Sequence, residues 1–163
     1  NKYYNLSMFR KIILCILVLC GLSSCGYTSL HSQKDDLNFT ILNLELNGDL
    51  LINNYIEQEL KKYEKINSER KFELEIKTTL NKFSVGKDSK GNTTNLKLVA
   101  NLDLNINEIK MENEQTKKTV SFSESITIKK NENNYEQSNY EEILIKNMSE
   151  LLFKKLVFYL SRS

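Results

Sequence analysis

The stretch from Thr94 to Lys110 limits what this chain can fold into more than any other. Leu96, Leu98, Ala100, Leu102, Leu104 and Ile106 alternate with positions that include Asn101, Asp103, Asn105 and Asn107. Side chains two residues apart share a face of a β-strand, so the segment reads as a strand with one apolar and one polar side. At roughly 3.3 Å per residue it would reach about 55 Å, far beyond an ordinary strand. Such a strand needs neighbours in a sheet and a cover over its apolar face.

The flanking segments supply both. Asn38–Leu46 reads as a first strand, with Leu42, Leu44 and Leu46 on one face. Asn47-Gly48-Asp49 breaks it, and Asp49 is placed to cap a helix from Leu50 to about Ile66. Ile52, Tyr55, Ile56, Leu60 and Tyr63 make that helix's apolar stripe, and Glu57, Glu59, Lys61, Lys62 and Glu64 its solvated side. Lys71–Val85 alternates through Phe72, Leu74, Ile76 and Leu80, and its parity changes before Phe83 and Val85, which predicts a bulge near Asn81–Lys82. Residues 86–92 form a polar hairpin loop. After a turn at Glu112–Thr116, Lys118–Lys129 carries Val120, Phe122, Ile126 and Ile128 on one side, with Ser121, Ser123, Ser125 and Thr127 on the other. Glu124 interrupts the apolar side, which puts it at a sheet margin or in a functional contact. Ser138-Asn-Tyr-Glu141 has the spacing of a capping box and opens a terminal helix over about Asn139–Leu160. Ile145, Met148, Leu152, Leu156 and Tyr159 form its stripe, widened by Ile143, Leu144, Leu151, Phe153 and Phe158. The order β-α-β-β-β-α predicts an α+β fold: a two-layer α/β sandwich, a four-stranded mixed sheet with two helices on one face.

The N-terminal quarter has a different character. From Met8, the expected start with residues 1–7 upstream of it, Arg10 and Lys11 precede an apolar run from Ile12 to Cys20. The run is short of the about 20 residues a membrane-spanning helix needs, and suits a secretory signal over residues 1–24. Leu22-Ser23-Ser24-Cys25 resembles the bacterial lipobox. There the thiol takes a diacylglycerol, cleavage falls just before it, and the new amine can be acylated. Each buried methylene contributes about 0.8 kcal/mol, so several acyl chains hold a protein durably on a bilayer. Residues 25–36 then make a lipidated cysteine and polar tether, and 37–163 the folded domain. Gly26 stands where an Asp favours retention in the inner membrane of Gram-negative bacteria, so outer-membrane sorting is expected. Cys15 and Cys20 leave with the signal, so the domain has neither free thiol nor disulfide.

Charge excludes further classes. Of 23 Lys and Arg residues, Lys2, Arg10 and Lys11 precede Cys25 while every acidic residue follows it, leaving 20 basic against 21 acidic groups. A nearly neutral domain has no general nucleic-acid footprint, so anion binding must be local. The single histidine, His31, lies in the tether, and neither a His/Cys metal cluster nor a glycine-rich phosphate loop is evident. A non-enzyme without a cofactor, apart from the acyl groups on Cys25, is expected. Asn is so frequent that a coding-composition bias explains it, and no single Asn is taken as meaningful.

Cys25-Gly26-Tyr27-Thr28-Ser29-Leu30-His31 is similar to the start of the LPS-assembly lipoprotein LptE family: cysteine, glycine, aromatic, any residue, proline, leucine, tyrosine. Ser29 and His31 depart from it. The element order with long, polar-faced strands, and the closing stretch Asn134-Tyr135, Tyr140-Glu141 and Ile145-Lys146-Asn147-Met148-Ser149-Glu150, also resemble that family. The resemblance implies an outer-membrane lipoprotein that plugs and helps assemble an LptD-type barrel and contacts lipopolysaccharide. Lipid A phosphates need cationic donors, and the candidates are Lys82, Lys87 and Lys90 around the first hairpin and Lys129 and Lys130 at the end of the last strand. Arg70 and Arg162 are the only arginines after Cys25, so bidentate clamps are scarce. An auxiliary lipoprotein of a phospholipid ABC transport system and a non-specific envelope scaffold are the alternatives.

Overall fold

A computed structural model describes residues 39–64, 68–109 and 115–162. Their order is β1 (Phe39–Gly48), α1 (Leu50–Leu60), β2 (Arg70–Lys87), β3 (Thr93–Ile109), β4 (Gln115–Lys129) and α2 (Asn134–Arg162). The four strands form one sheet in sequential order. β1 and β2 run parallel, so their link must cross back over the sheet, and α1 provides that crossover. β2–β3 and β3–β4 are antiparallel. Both helices pack on one face, α1 against β1 and α2, and α2 against β3 and β4. The mixed two-layer sandwich expected from the pattern is the fold observed.

The alternation does what its period requires. Leu96 through Ile106 at even positions of β3 are buried, as are Phe72, Leu74, Ile76 and Thr78 of β2. Ile52, Ile56 and Leu60 of α1 and Met148, Leu152 and Leu156 of α2 close over them in one core. Three tyrosines complete its rim. Tyr63 stacks on Phe39 with ring centroids 5.2 Å apart, Tyr55 meets Phe153 edge-on at 6.4 Å, and Tyr159 meets Phe122 at 6.1 Å. Asp49 caps α1 as expected, accepting from the N–H groups of Leu51 and Ile52.

Several expectations need correction. In β1 the core residues are Phe39 and Ile41, whereas Leu42 is exposed. The register slips between Ile41 and Asn43, so Leu42 is bulged out and the parity switches before Leu44 and Leu46, which pack against the core. α1 stops at Leu60 because the Tyr63 N–H bonds to the Leu60 carbonyl at 2.8 Å, tightening the chain into a turn. Residues 65–67 and 110–114, where the end of the expected helix and most of the expected turn fall, lie outside the described residues. In β2 the pairing runs unbroken from Lys71 to Ser84, so there is no bulge at Asn81–Lys82; the slip falls around Val85 and Gly86. Phe83 is consequently half exposed and, by parity, projects from the face opposite Leu80; Val85, at the slip itself, is also half exposed.

α2 begins at Asn134, before the expected capping box. Asn133 is the cap, its side-chain oxygen accepting from the N–H groups of Tyr135 at 3.0 Å and Glu136 at 3.4 Å. Asn133→Ala is expected to cost about 1 kcal/mol in chemical denaturation. Ser138→Ala, now inside an exposed helical turn, should be neutral within about 0.5 kcal/mol. A larger loss at Ser138 than at Asn133 would contradict this start. Ile143, Leu151 and Phe158 are exposed instead of widening the core stripe. A single sheet and α1 reach only one side of α2, and these residues lie off it.

Candidate functional site

The sheet face opposite the helices carries the odd positions of β2, β3 and β4. On it β3 sits between two neighbours, and asparagine exploits that position by donating to one side and accepting from the other. Asn101 Nδ2 donates to Thr79 Oγ1 at 3.1 Å, and its Oδ1 accepts from Ser123 Oγ at 2.8 Å. Asn105 repeats the relay between Glu75 Oε2 at 3.1 Å and Thr119 Oγ1 at 2.8 Å. Ser121 Oγ donates to Asp103 Oδ1 at 2.6 Å, and Asn107 Nδ2 to Glu73 Oε2 at 2.8 Å. The face is a set of cross-strand polar rungs. These polar groups are paired across the strands, save Asn107 Oδ1, which is buried without a partner among the described residues. These asparagines were missed because composition explained them away; their strict alternation was the signal.

The antiparallel topology brings the candidate lysines to one end of the sheet. Lys129 pairs in register with Asn95, and the Lys130 N–H donates to the Thr94 carbonyl at 2.8 Å, beside the hairpin that carries Lys87 and Lys90. Lys97, which sequence reasoning did not single out, lies on the same outer face between Phe83 and Thr127. Among the described residues none of Lys87, Lys90, Lys97, Lys129 and Lys130 makes an ion pair. Half-exposed Phe83 and Val85 sit on this end, so the outer face here offers cations beside apolar surface. The hairpin tip is rigidified by Asp88, which accepts from the Asn92 side chain at 3.0 Å and from the N–H groups of Asn92 and Lys90. The Asn92 side-chain bond, with the backbone bonds, holds its carboxyl below the ordinary value.

Lys82 is different. Its even parity turns it to the helix side, where it pairs with Glu141 of α2. Burial resists ionisation of Glu141, but the bonds from Lys82 and from Gln137 at 2.7 Å outweigh it, so the carboxyl titrates below its ordinary value. A lowered folded-state pKa stabilises the fold above the unfolded carboxylate's range, and the gain disappears as pH falls through the lowered value. Lys82→Met is expected to raise the Glu141 pKa in an NMR titration; an unchanged value would contradict the pairing.

Both arginines serve the fold. Arg70 Nη2 donates to the Leu160 carbonyl at 3.1 Å at the end of α2, and the Arg162 guanidinium lies 4.0 Å over the Phe158 ring. Glu124 is half buried and pairs with Lys155 of α2 at 2.6 Å. Cys25, the signal over 1–24 and the tether over 25–36 lie outside the described residues.

A sheet of this order, with long strands and two helices on one side, has a counterpart among solved structures. The fold is that of rare lipoprotein B from Shewanella oneidensis. The two superpose with a TM-score of 0.51 at 12% identity, over 74% of this chain and 94% of that one. At that identity the likeness is one of fold. A putative lipoprotein from Caulobacter crescentus CB15 aligns at a TM-score of 0.46 and 12% identity, over 78% of this chain and 90% of that one. A minor lipoprotein from Acinetobacter baumannii gives 0.46 at 9%, over 74% and 90%. No protein-family model matches the chain, and no curated protein matches it.

Proposed function

We propose that this chain is a non-catalytic envelope lipoprotein of LptE type. Its acylated Cys25 anchors it to the outer membrane, its polar sheet face lines the lumen of an LptD-type barrel, and its basic end contacts lipopolysaccharide. The observation that carries this reading is a hydrogen-bonded sheet face of unusually long strands that no described residue covers, with lysines at one end that make no ion pair among the described residues, beside exposed Phe83 and Val85. A β-barrel lumen is polar and wet, and the Asn/Ser/Thr rungs suit such a wall. The lipobox-like Leu22–Cys25 and the fold shared with rare lipoprotein B support the same reading.

Lipopolysaccharide is an anionic amphiphile. Lys97 and Lys129 would meet its phosphates while Phe83 and Val85 meet its acyl chains. The Lys97→Glu, Lys129→Glu double variant is expected to weaken capture of purified lipopolysaccharide by about tenfold, the scale of losing charge-assisted contacts. Lys61→Glu, Lys62→Glu makes the same change in net charge in the turn after α1 and should leave capture unaltered. Equal loss in both doubles would reduce the interaction to general electrostatics and overturn the assignment.

A further inference from the structure

Among the described residues β4 is an edge strand, and one of its two edges is open. The Lys130 N–H bonds to the Thr94 carbonyl, and the register from Asn95–Lys129 to Ile109–Gln115 has no slip. Backbone groups alternate sides along a strand, so even residues of β4 bond to β3. Odd residues, including Ser121, Ser123, Ser125 and Thr127, aim their N–H and C=O groups out of the sheet. Such a row is a template for another strand. β1, the other edge, is shorter and bulged at Leu42, which spoils it for pairing. β4 runs for 15 residues with neither proline nor bulge.

Only the middle of this edge is guarded among the described residues. Lys155 Nζ reaches from α2 to donate to the Ser123 carbonyl at 3.1 Å, and pairs with Glu124 Oε1 at 2.6 Å. An inward-pointing charge and a covering lysine are devices that keep edges from pairing at random. Lys117 and Lys118 stand at one end of the strand, Lys129 and Lys130 at the other. A second copy paired antiparallel in register would set Lys117 against Lys129 twice, and a parallel copy would set each lysine against itself. Like charges placed opposite one another disfavour both arrangements. A chain with carboxylates at its two ends is the electrostatic complement.

We propose that the free edge of β4 is a strand-addition site for an extended segment of a partner protein that is acidic at both ends, with Lys155 as its gate. The arriving strand takes the Ser123 carbonyl, and Lys155 withdraws onto Glu124 alone. Main-chain bonds supply affinity and the terminal charges supply selectivity. This inference does not depend on the barrel or lipopolysaccharide reading.

The test is titration of the full chain with a 13-residue synthetic peptide, Glu-Glu at each end and alternating Thr and Val between, followed by fluorescence anisotropy. Binding is expected. It should weaken about tenfold when the terminal residues are Lys, and weaken with added salt. Lys155→Ala should tighten it about fivefold by removing the competitor for the Ser123 carbonyl. Ser125→Pro should abolish it while leaving the circular dichroism unchanged, because that N–H faces away from β3. Equal affinity for the Lys-ended peptide, indifference to Ser125→Pro, self-association of the chain through β4, or no binding even to the Lys155→Ala chain would each overturn the proposal.

Discussion

Alanine at position 48 is expected to destabilise the domain by about 3 kcal/mol. Gly48 has φ +108°, a conformation that an L side chain rarely adopts. A Cβ placed there would lie 1.9 Å from the Thr78 carbonyl oxygen, so the backbone of β2 would have to move. That movement is resisted. The Asp49 N–H donates to Thr78 Oγ1 at 3.0 Å, and the buried Thr78 hydroxyl donates to Asn53 Oδ1 at 2.7 Å. The turn from β1 into α1 is therefore clamped to β2 at one point, and that point admits only hydrogen at Cα. Denaturant unfolding of Gly48→Ala checks this; a loss below about 1 kcal/mol would mean that the turn relaxes without strain.

Phe72→Ala should cost more, about 4 kcal/mol, through lost burial and the cavity left behind. Phe72 is fully buried, its ring 5.7 Å from that of Phe39 and capped by the Arg70 guanidinium at 5.2 Å. It ties β1, β2 and the guanidinium that closes α2 into one cluster. Phe83→Ala, on the same strand but half exposed on the outer face, should change stability by less than about 0.5 kcal/mol. Comparable losses at the two positions would mean that Phe83 is covered and that the outer-face patch does not exist.

Strand and helix identities were legible because β2, β3 and β4 keep period two for long stretches and both helices keep a stripe. Local irregularities were not. The bulge at Leu42 leaves three leucines in apparent alternation, and only pairing with β2 reveals that one is expelled. At Phe83 an apolar side chain suggests a core position, but the unbroken register carries it outward, and Val85 lies at the slip itself. The α2 cap went unread because Asn133 is one Asn among many. The lysines show the same division. Lys129 and Lys87 could be named from the sequence, but their gathering at one sheet end follows from the β3–β4 register. Lys97 was hidden inside the alternation that defined the fold, and the partner of Lys82 lies on a distant helix.

The most direct test of the central claim is site-specific photocross-linking in intact envelopes of the acylated chain. The probe is placed at Asn105, exposed on the outer sheet face, and separately at Asn147, exposed on α2. The account predicts an adduct with an LptD-type barrel from Asn105, lost when Cys25 is replaced by serine. No barrel adduct from Asn105, with Cys25 acylated and the chain folded, would contradict it.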